Sequence, residues 1–292
     1  MKIGLFGIQF FDEYMVLYQN IMDKLLKENC DVSIYEPLLK KMNGQLQIPD
    51  SVKVFSNHLE LIEQVEILFC IGGDGSILDS VTLIKDSGIP VLGINFGRLG
   101  FLSSVSKSEI NFAIQEVLSN RYIIDKRTLL QLETSKNHFG NLNFALNELT
   151  IQKKDNISMI VVHVYINDLL LSSYWADGLI IATPTGSTAY SLSCGGPIVM
   201  PSSENFIITP IASHNLTVRP IIIPNDSVIK LKMSGRSKNF MIGLDSRFET
   251  VGKSEELIIK RCDFKFNLIQ MSNRSFFDTI REKLHWGSDI RN

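Results

Sequence analysis

Residues 67–71, Ile-Leu-Phe-Cys-Ile, are apolar without interruption and run directly into Gly72-Gly73-Asp74-Gly75-Ser76. A strand with no polar alternation has to be covered on both faces, as in a parallel sheet flanked by helices. Ile77-Leu78-Asp79-Ser80-Val81 follows with helical spacing, so the stretch reads as buried strand, glycine turn, helix. Glycines let backbone N–H groups approach an anion, and a helix N-terminus favours negative charge. A turn made only for phosphate has no need of a carboxylate. Asp74 therefore admits two readings. It is a helix N-cap, or it works on a bound nucleotide, accepting a hydroxyl proton or helping to hold a metal ion. The C-terminal edge of a parallel strand is where α/β proteins place ligands, which favours the second.

The pattern around this turn extends over residues 1–125, where strand and helix signals alternate. Strands are expected at 3–8, 31–35, 67–71 and 90–95, and helices at 14–26, 77–85 and 107–120, the last capped by Ser106. Residues 37–50 are polar and mixed and read as a loop. From 126 to 272 helical period almost vanishes. Short β-rich runs take over at 129–134, 145–151, 159–166, 169–175, 179–183, 206–210, 227–233, 240–244, 256–260 and 264–269. Turn signals separate them, which predicts a mostly β second domain. Residues 273–292 return to helix, with Phe276, Phe277, Ile280 and Leu284 as the apolar face. The expected fold is an α/β N-terminal domain with a Rossmann-like parallel sheet, a mostly-β C-terminal domain, and a C-terminal helix that packs back on the first domain.

A chain of 292 residues suits one large domain or two ordinary ones. The net charge of -2 gives no electrostatic case for nucleic acid or an anionic membrane. No run approaches the ~20 apolar residues of a membrane span, and Met1-Lys2-Ile3 leads straight into a strand pattern, so the expectation is a cytoplasmic protein. The sequons Asn156-Ile157-Ser158 and Asn215-Leu216-Thr217 then read as chance matches. Cys30, Cys70, Cys194 and Cys262 form no C-x-x-C pair, and His58, His138, His163, His214 and His285 lack metal-ligand spacing, so no protein ligands to a metal are assigned. Gly4-Leu5-Phe6-Gly7 is not G-x-G-x-x-G, Gly252-Lys253-Ser254 has Arg247 where a P-loop has its first glycine, and G-x-S-x-G is absent.

Two more constellations carry chemistry. Residues 176–197 hold a strand, a hydroxyl-rich turn, a short helix and a second glycine turn. Thr183, Thr185, Ser187, Thr188, Ser191 and Ser193 form either a polar surface loop or a cradle of neutral donors and acceptors, with Tyr190 as a flat face for a ring. Asn147-Glu148 interrupts the apolar run 144–151. The pair is a strand bulge, or an amide and a carboxylate aimed at ribose hydroxyls or a base edge.

Together these stretches, with Ile94-Asn95-Phe96-Gly97-Arg98-Leu99-Gly100-Phe101-Leu102, His214-Asn215-Leu216-Thr217-Val218-Arg219-Pro220 and Lys283-Leu284-His285-Trp286-Gly287, resemble the NAD kinase family. That family transfers the γ-phosphate of ATP to the 2′-hydroxyl of the adenosine ribose of NAD. The resemblance implies Asp74 as proton acceptor, with Gly72, Gly73 and Gly75 near ribose and phosphates. It implies Asn147 and Glu148 on ribose and base groups, Asp177 at the nicotinamide end, and Thr188, Ala189, Tyr190 and Ser193 on the adenine side. Trp175, Ala182, Ala212 and Arg247 complete the implied contact set. Trp175 stands where many members carry a basic residue, and Ser246-Arg247 where a glutamine often ends the turn. The resemblance also implies ATP and NAD as substrates, Mg2+ or another divalent cation, and a homo-oligomer, dimer or tetramer. A lipid kinase with the same glycine-aspartate turn and a non-catalytic nucleotide sensor are the alternatives.

Overall fold

Short apolar strands alternating with one-sided helices build the first half of the chain. The structure, a computed structural model, describes residues 1–42, 44–154, 159–272 and 274–287. The sequon at Asn156 and the last five residues of the expected terminal segment lie outside the described residues. In chain order the elements are β1 (Lys2–Phe6), α1 (Met15–Lys27), β2 (Asp31–Tyr35), α2 (Glu36–Met42), β3 (Lys53–Phe55), α3 (His58–Gln64), β4 (Ile67–Ile71), α4 (Asp74–Ile84), β5 (Val91–Asn95), β6 (Val105–Ser106) and α5 (Ile110–Leu118). The strands are parallel in the order β5-β4-β1-β2-β3. Every residue of β4 is buried. Tyr18, Ile21, Met22 and Leu25 of α1 form its buried face and pack into one core with Leu5, Ile34 and Phe69. The chain winds outward from β1 to β3 and then returns to β4 on the other side of β1. That reversal opens a crevice at the C-terminal ends of β1 and β4.

The expected loop at 37–50 is in part the helix α2. Leu38 and Met42, four residues apart, are its buried face, while Glu36 and Lys40 pair across solvent at 2.9 Å. A seven-residue helix shows only this single repeat of apolar spacing, too little to stand out in a polar segment. β3 and α3 were hidden for the same reason: β3 buries one residue of three, and α3 buries only Leu61. The helix expected from 77 begins at Asp74.

The second half continues with β7 (Ile123–Glu133), β8 (Phe144–Ala145), β9 (Glu148–Lys153), β10 (Ile160–Ile166), β11 (Leu169–Ala176), β12 (Gly178–Ala182), α6 (Tyr190–Ser193), β13 (Asn205–Ile211), β14 (Ile221–Pro224), β15 (Ile229–Ser234), β16 (Asn239–Leu244), β17 (Arg247–Gly252), β18 (Glu256–Gln270) and α7 (Phe276–Leu284). Two compact units result: residues 1–126 with 266–292, and residues 127–265. In the second unit an antiparallel sheet runs β14-β13-β12-β9-β16-β17, and β11-β10-β15-β18 forms another antiparallel set. Leu149, Ile151 and Ile181 of the first share a core with Val162, Leu231 and Ile259 of the second.

The runs expected at 256–260 and 264–269 are one strand of 15 residues. Arg261 and Asp263 are its exposed positions on either side of buried Cys262, so the period of two passes unbroken through the polar gap. Its first part pairs antiparallel with β15 (Ile229 opposite Ile259), and its last part pairs parallel with β5 (Leu268 opposite Val91). β14 and β17 escaped the sequence reading because they are the two outer strands of their sheet and each buries one residue. α7 starts with a capping box, in which the Ser275 hydroxyl accepts from the Asp278 N–H and the Asp278 carboxylate accepts from the Ser275 N–H.

β5 shows how tightly the first unit is built around the glycine turn. A Cβ on Gly93 would lie 2.6 Å from Ile77 Cδ1 of α4 and 2.7 Å from the Cα of Ser103. Gly93→Ala should cost about 1–3 kcal/mol through this overpacking, read as a lowered urea midpoint at unchanged slope.

Candidate active site

The glycine turn is a sharp bend at the end of β4. Gly72 sits at φ +147°, and a Cβ there would meet Ser76 Oγ at 2.2 Å, so backbone and packing both require glycine. Its N–H donates to the Ile94 carbonyl at 2.8 Å, tying the turn to β5. Gly73 is the N-cap of α4. Gly75, inside the first turn of the helix, faces open space, with nothing within 4 Å of a Cβ built there.

Asp74 is the first residue of α4 and does not cap its own helix. Its Oδ2 accepts the Phe101 N–H at 2.8 Å. Its Oδ1 accepts the N–H groups of Leu102 and Ser103 at 3.0 Å and the Ser103 hydroxyl at 3.1 Å. The loop comes so close that a Cβ on Gly100 would lie 1.7 Å from Oδ1. Asn95 holds the other end: its Nδ2 donates to the Arg98 carbonyl at 2.6 Å, and its Oδ1 accepts the Gly97 N–H at 2.8 Å. Asp74 is thus a helix-terminal carboxylate held in one orientation by the 97–103 loop. Asn95, Gly100 and Ser103 carry that arrangement, and the sequence reading gave them no role. The spacing of Gly97 and Gly100 after a strand was the available signal.

In the second unit an equivalent device shapes Asn147 and Glu148. Asp245, at φ +53° between β16 and β17, accepts three consecutive N–H groups: Leu146 at 2.9 Å, Asn147 at 2.8 Å and Glu148 at 3.1 Å. Asn147 is pinned from its other face. Its carbonyl accepts the Thr183 N–H at 2.8 Å, and a Cβ on Gly186 would stand 2.1 Å from that oxygen. Glu148 opens β9 opposite Ala182, which is fully buried. Glu148 is 8% exposed, and its Oε2 has no hydrogen-bond partner. Burial, then the neighbouring Asp245, push its carboxyl up to about 8, against one hydrogen bond from the Tyr190 backbone. Burial likewise raises Asp245, opposed by the three N–H groups that it binds.

The hydroxyl-rich stretch divides into two sets. Thr183 donates to the Leu146 carbonyl at 2.5 Å, Ser187 bonds both backbone groups of Val199, and Ser191 bonds Thr209 at 2.8 Å. Buried Thr185 accepts from Arg127. These hydroxyls fold the turn. Thr188 and Ala189 are half-buried, and Tyr190 and Ser193 on α6 are exposed, so these four present the accessible surface. Asp177, between β11 and β12, pairs with Lys153 at 2.6 Å, a cation the sequence reading overlooked because it lies 24 residues away at the end of β9. Trp175 is 50% exposed, and its backbone is bracketed by the Asn215 side chain and the His214 N–H. Ala212, at φ +47°, follows β13. Arg247 reaches the carbonyls of Leu142 and Phe144 and lies over the Phe144 ring, so its charge organises the approach to β9.

One unit carries a fixed carboxylate beside a glycine turn, and the other a hydroxyl-rich turn beside a buried acid. Comparison with known proteins places the chain among kinases. Family comparison narrows the class. The profile described as ATP-NAD kinase N-terminal domain matches residues 9–122, and the profile described as ATP-NAD kinase C-terminal domain matches residues 146–271. The chain is 45% identical over 294 residues to a Flavobacterium psychrophilum protein named NAD kinase, covering all of both chains. It is 43% identical to one from Cytophaga hutchinsonii and 40% identical to one from Bacteroides fragilis, again at full coverage of both. Among solved structures, yeast NADH kinase complexed with NADH superposes at TM-score 0.88 and 23% identity, over 99% of this chain and 88% of that one. An Archaeoglobus fulgidus NAD kinase in complex with ATP gives 0.75 at 21% identity, over 98% and 99%. The chain belongs to the ATP-NAD kinase family.

The raised carboxyl of Glu148 has a consequence for stability. The folded protein keeps a proton there that the unfolded chain releases above about 4.5, so this group's contribution to stability falls as pH rises from 4.5 towards 8. Glu148→Gln removes that term. Relative to this variant, the native protein should lose Tm between pH 5 and pH 8, measured by thermal melts in matched buffers.

Proposed function

We propose that this protein transfers the γ-phosphate of ATP to the 2′-hydroxyl of the adenosine ribose of NAD, producing NADP and ADP. The observation that carries the residue assignment is the Asp74 carboxylate, immobilised at the N-terminus of α4 beside the open space at Gly75. Its Oδ2 accepts one N–H, whereas Oδ1 accepts three donors, which leaves Oδ2 the oxygen with a lone pair to offer a hydroxyl. The hydroxyl proton passes to Asp74 as the new O–P bond forms and the bridging P–O bond of the donor breaks. Phosphoryl transfer asks mainly for such positioning and for neutralised charge.

The dinucleotide is held by the second unit. Asn147 and the unpartnered oxygen of Glu148 suit ribose and base groups, since a carboxyl pushed up to about 8 keeps its proton at neutral pH and can donate as well as accept. Tyr190 offers a ring face for adenine, flanked by Thr188, Ala189 and Ser193. Asp177, paired with Lys153, and the exposed Trp175 serve the nicotinamide end. Among the described residues no cluster of three or more His, Cys, Asp or Glu could cage a metal. A divalent cation of the Mg2+ type therefore fits as a companion of the donor's phosphates, with at most one or two protein carboxylates. It would screen those phosphates from Asp74. Among the described residues no helix is long and apolar enough to cross a membrane. A cytoplasmic homo-oligomer, dimer or tetramer, completes the proposal.

Incubation with ATP, Mg2+ and NAD should yield NADP, with NADH, polyphosphate and diacylglycerol as parallel arms. No product in the NAD arm, with product in the lipid arm, would sink the proposal. Asp74→Asn should fold and bind NAD yet lose roughly 10²–10⁴ in turnover. Gly75→Ala should melt no lower than the native protein, because alanine gains up to about 1 kcal/mol over glycine in a helix. Its turnover should nevertheless fall roughly tenfold or more as the added methyl enters space the substrate uses.

A further inference from the structure

Residues 101–103 direct all three of their N–H groups to Asp74, so the loop fixes that carboxylate only as well as the loop itself is held. The C-terminal segment meets this run at both ends. The Phe276 ring, in the first turn of α7, lies 6.5 Å from the Phe101 ring, within the range of a favourable aromatic pair. Arg274, two residues before α7, donates from Nη1 to the Ser104 carbonyl at 3.5 Å. Phe101 opens the run of three donors, and Ser104 is the residue just past its end.

Arg274 is itself anchored. Its Nη2 pairs with Glu282 in the second turn of α7, and its carbonyl accepts the Gln270 side-chain amide at 2.9 Å. Its N–H donates to the carbonyl of Met271, a core residue of the first unit, at 3.3 Å. The Ser275–Asp278 capping box fixes the entry into the helix. The Arg274 side chain is only 14% exposed. Among the described residues, its Nε and the neighbouring Ser104 Oγ are buried with no hydrogen-bond partner. A buried guanidinium with an idle N–H is a poor way to gain stability, since an apolar side chain would fill the space without that cost. What it supplies, and an apolar chain would not, is a directed bond to the Ser104 carbonyl.

We propose that Arg274 and Phe276 are positioning residues for phosphoryl transfer: they hold residues 101–104 against Asp74 and so fix where its Oδ2 points. The inference rests on the kinase reading above, in which Oδ2 takes the hydroxyl proton, and extends that site to the far end of the chain. A proton acceptor has to lie within hydrogen-bond reach of the hydroxyl, and a misplacement of about 1 Å can cost on the order of 10²-fold in rate. The terminal helix thereby acts on the reaction without touching substrate. Glu282 belongs to the same device, because it directs the guanidinium that holds Ser104.

Arg274→Gln, Phe276→Ala and Glu282→Gln test it in the full chain. The Glu282 side chain is 57% exposed, so this variant still reports if either of the others fails to fold. Turnover should fall about tenfold in the first two and about threefold in the third, with KM for ATP and for NAD within a factor of about two. In an Asp74→Asn background, Arg274→Gln and Glu282→Gln should each change the residual turnover by less than about twofold, since both changes act through one carboxylate. A mere loss of folded protein would lower turnover by the same factor in either background. Hydrogen exchange, read by mass spectrometry on peptides covering 97–104, should quicken in all three variants and stay as in the native protein at β1 and β2. Unchanged turnover, unchanged exchange at 97–104, or equal losses in the two backgrounds would each overturn the proposal. Absence of NADP formation by the native protein would instead overturn the kinase reading, and the exchange result would still decide whether α7 holds the loop.

Discussion

One interaction recurs at the two places on which the rest of the structure depends: a single carboxylate gathers three consecutive backbone N–H groups. Asp74 gathers those of Phe101, Leu102 and Ser103, and Asp245 those of Leu146, Asn147 and Glu148. Such charge-assisted bonds are stronger than neutral ones, and three in a row dictate the local backbone path. Each therefore turns an irregular connection into a fixed surface. The neighbouring requirements follow from that closeness. Gly100 has no room for a side chain beside Asp74, and Gly186 has none beside the Asn147 carbonyl.

The charges of the second unit are held by partners distant in the chain. Asp177, two positions after the exposed Trp175, is not left alone, because Lys153 reaches it across the sheet. A partly exposed pair of this kind contributes only about 0–1 kcal/mol to stability, so its value lies in fixing where the carboxylate points. Arg247 is used inside the unit, closing the carbonyls of residues 142 and 144 next to the strand that carries Glu148. Glu148 itself is held with an oxygen lacking any partner, a costly arrangement for a buried group unless a ligand supplies the missing bond.

The fold tolerates wide divergence around these points. Superposition on yeast NADH kinase holds at TM-score 0.88 with 23% identity. What the architecture demands is mostly apolar pattern: uninterrupted in β4 and β12, alternating in β18, and one-sided in α1. Many side chains satisfy that demand. The few positions without latitude are those where backbone meets backbone or carboxylate, as at Gly72, Gly93 and Gly100.

The amino-acid pattern by itself determined the parallel α/β half, the β-rich half, the boundaries of β2 and β4, and the glycine turn carrying Asp74. Those features rest on period and on glycine chemistry, which are local. It missed α2, α3 and β3, too short to repeat their signal, and β14 and β17, whose exposed edge positions carry little apolar pattern. Side-chain partnership was equally out of reach. Asp74 meets the 101–103 loop 27 to 29 residues away, Asp245 meets residues 146–148 across 97 to 99, and Lys153 meets Asp177 across 24. Spacing cannot show such meetings, because they exist only once strands have been laid beside one another. The hydroxyls of residues 183–193 make the same point. Composition left them as either a surface loop or a cradle, and only packing separated those that fold the turn from those that stay accessible.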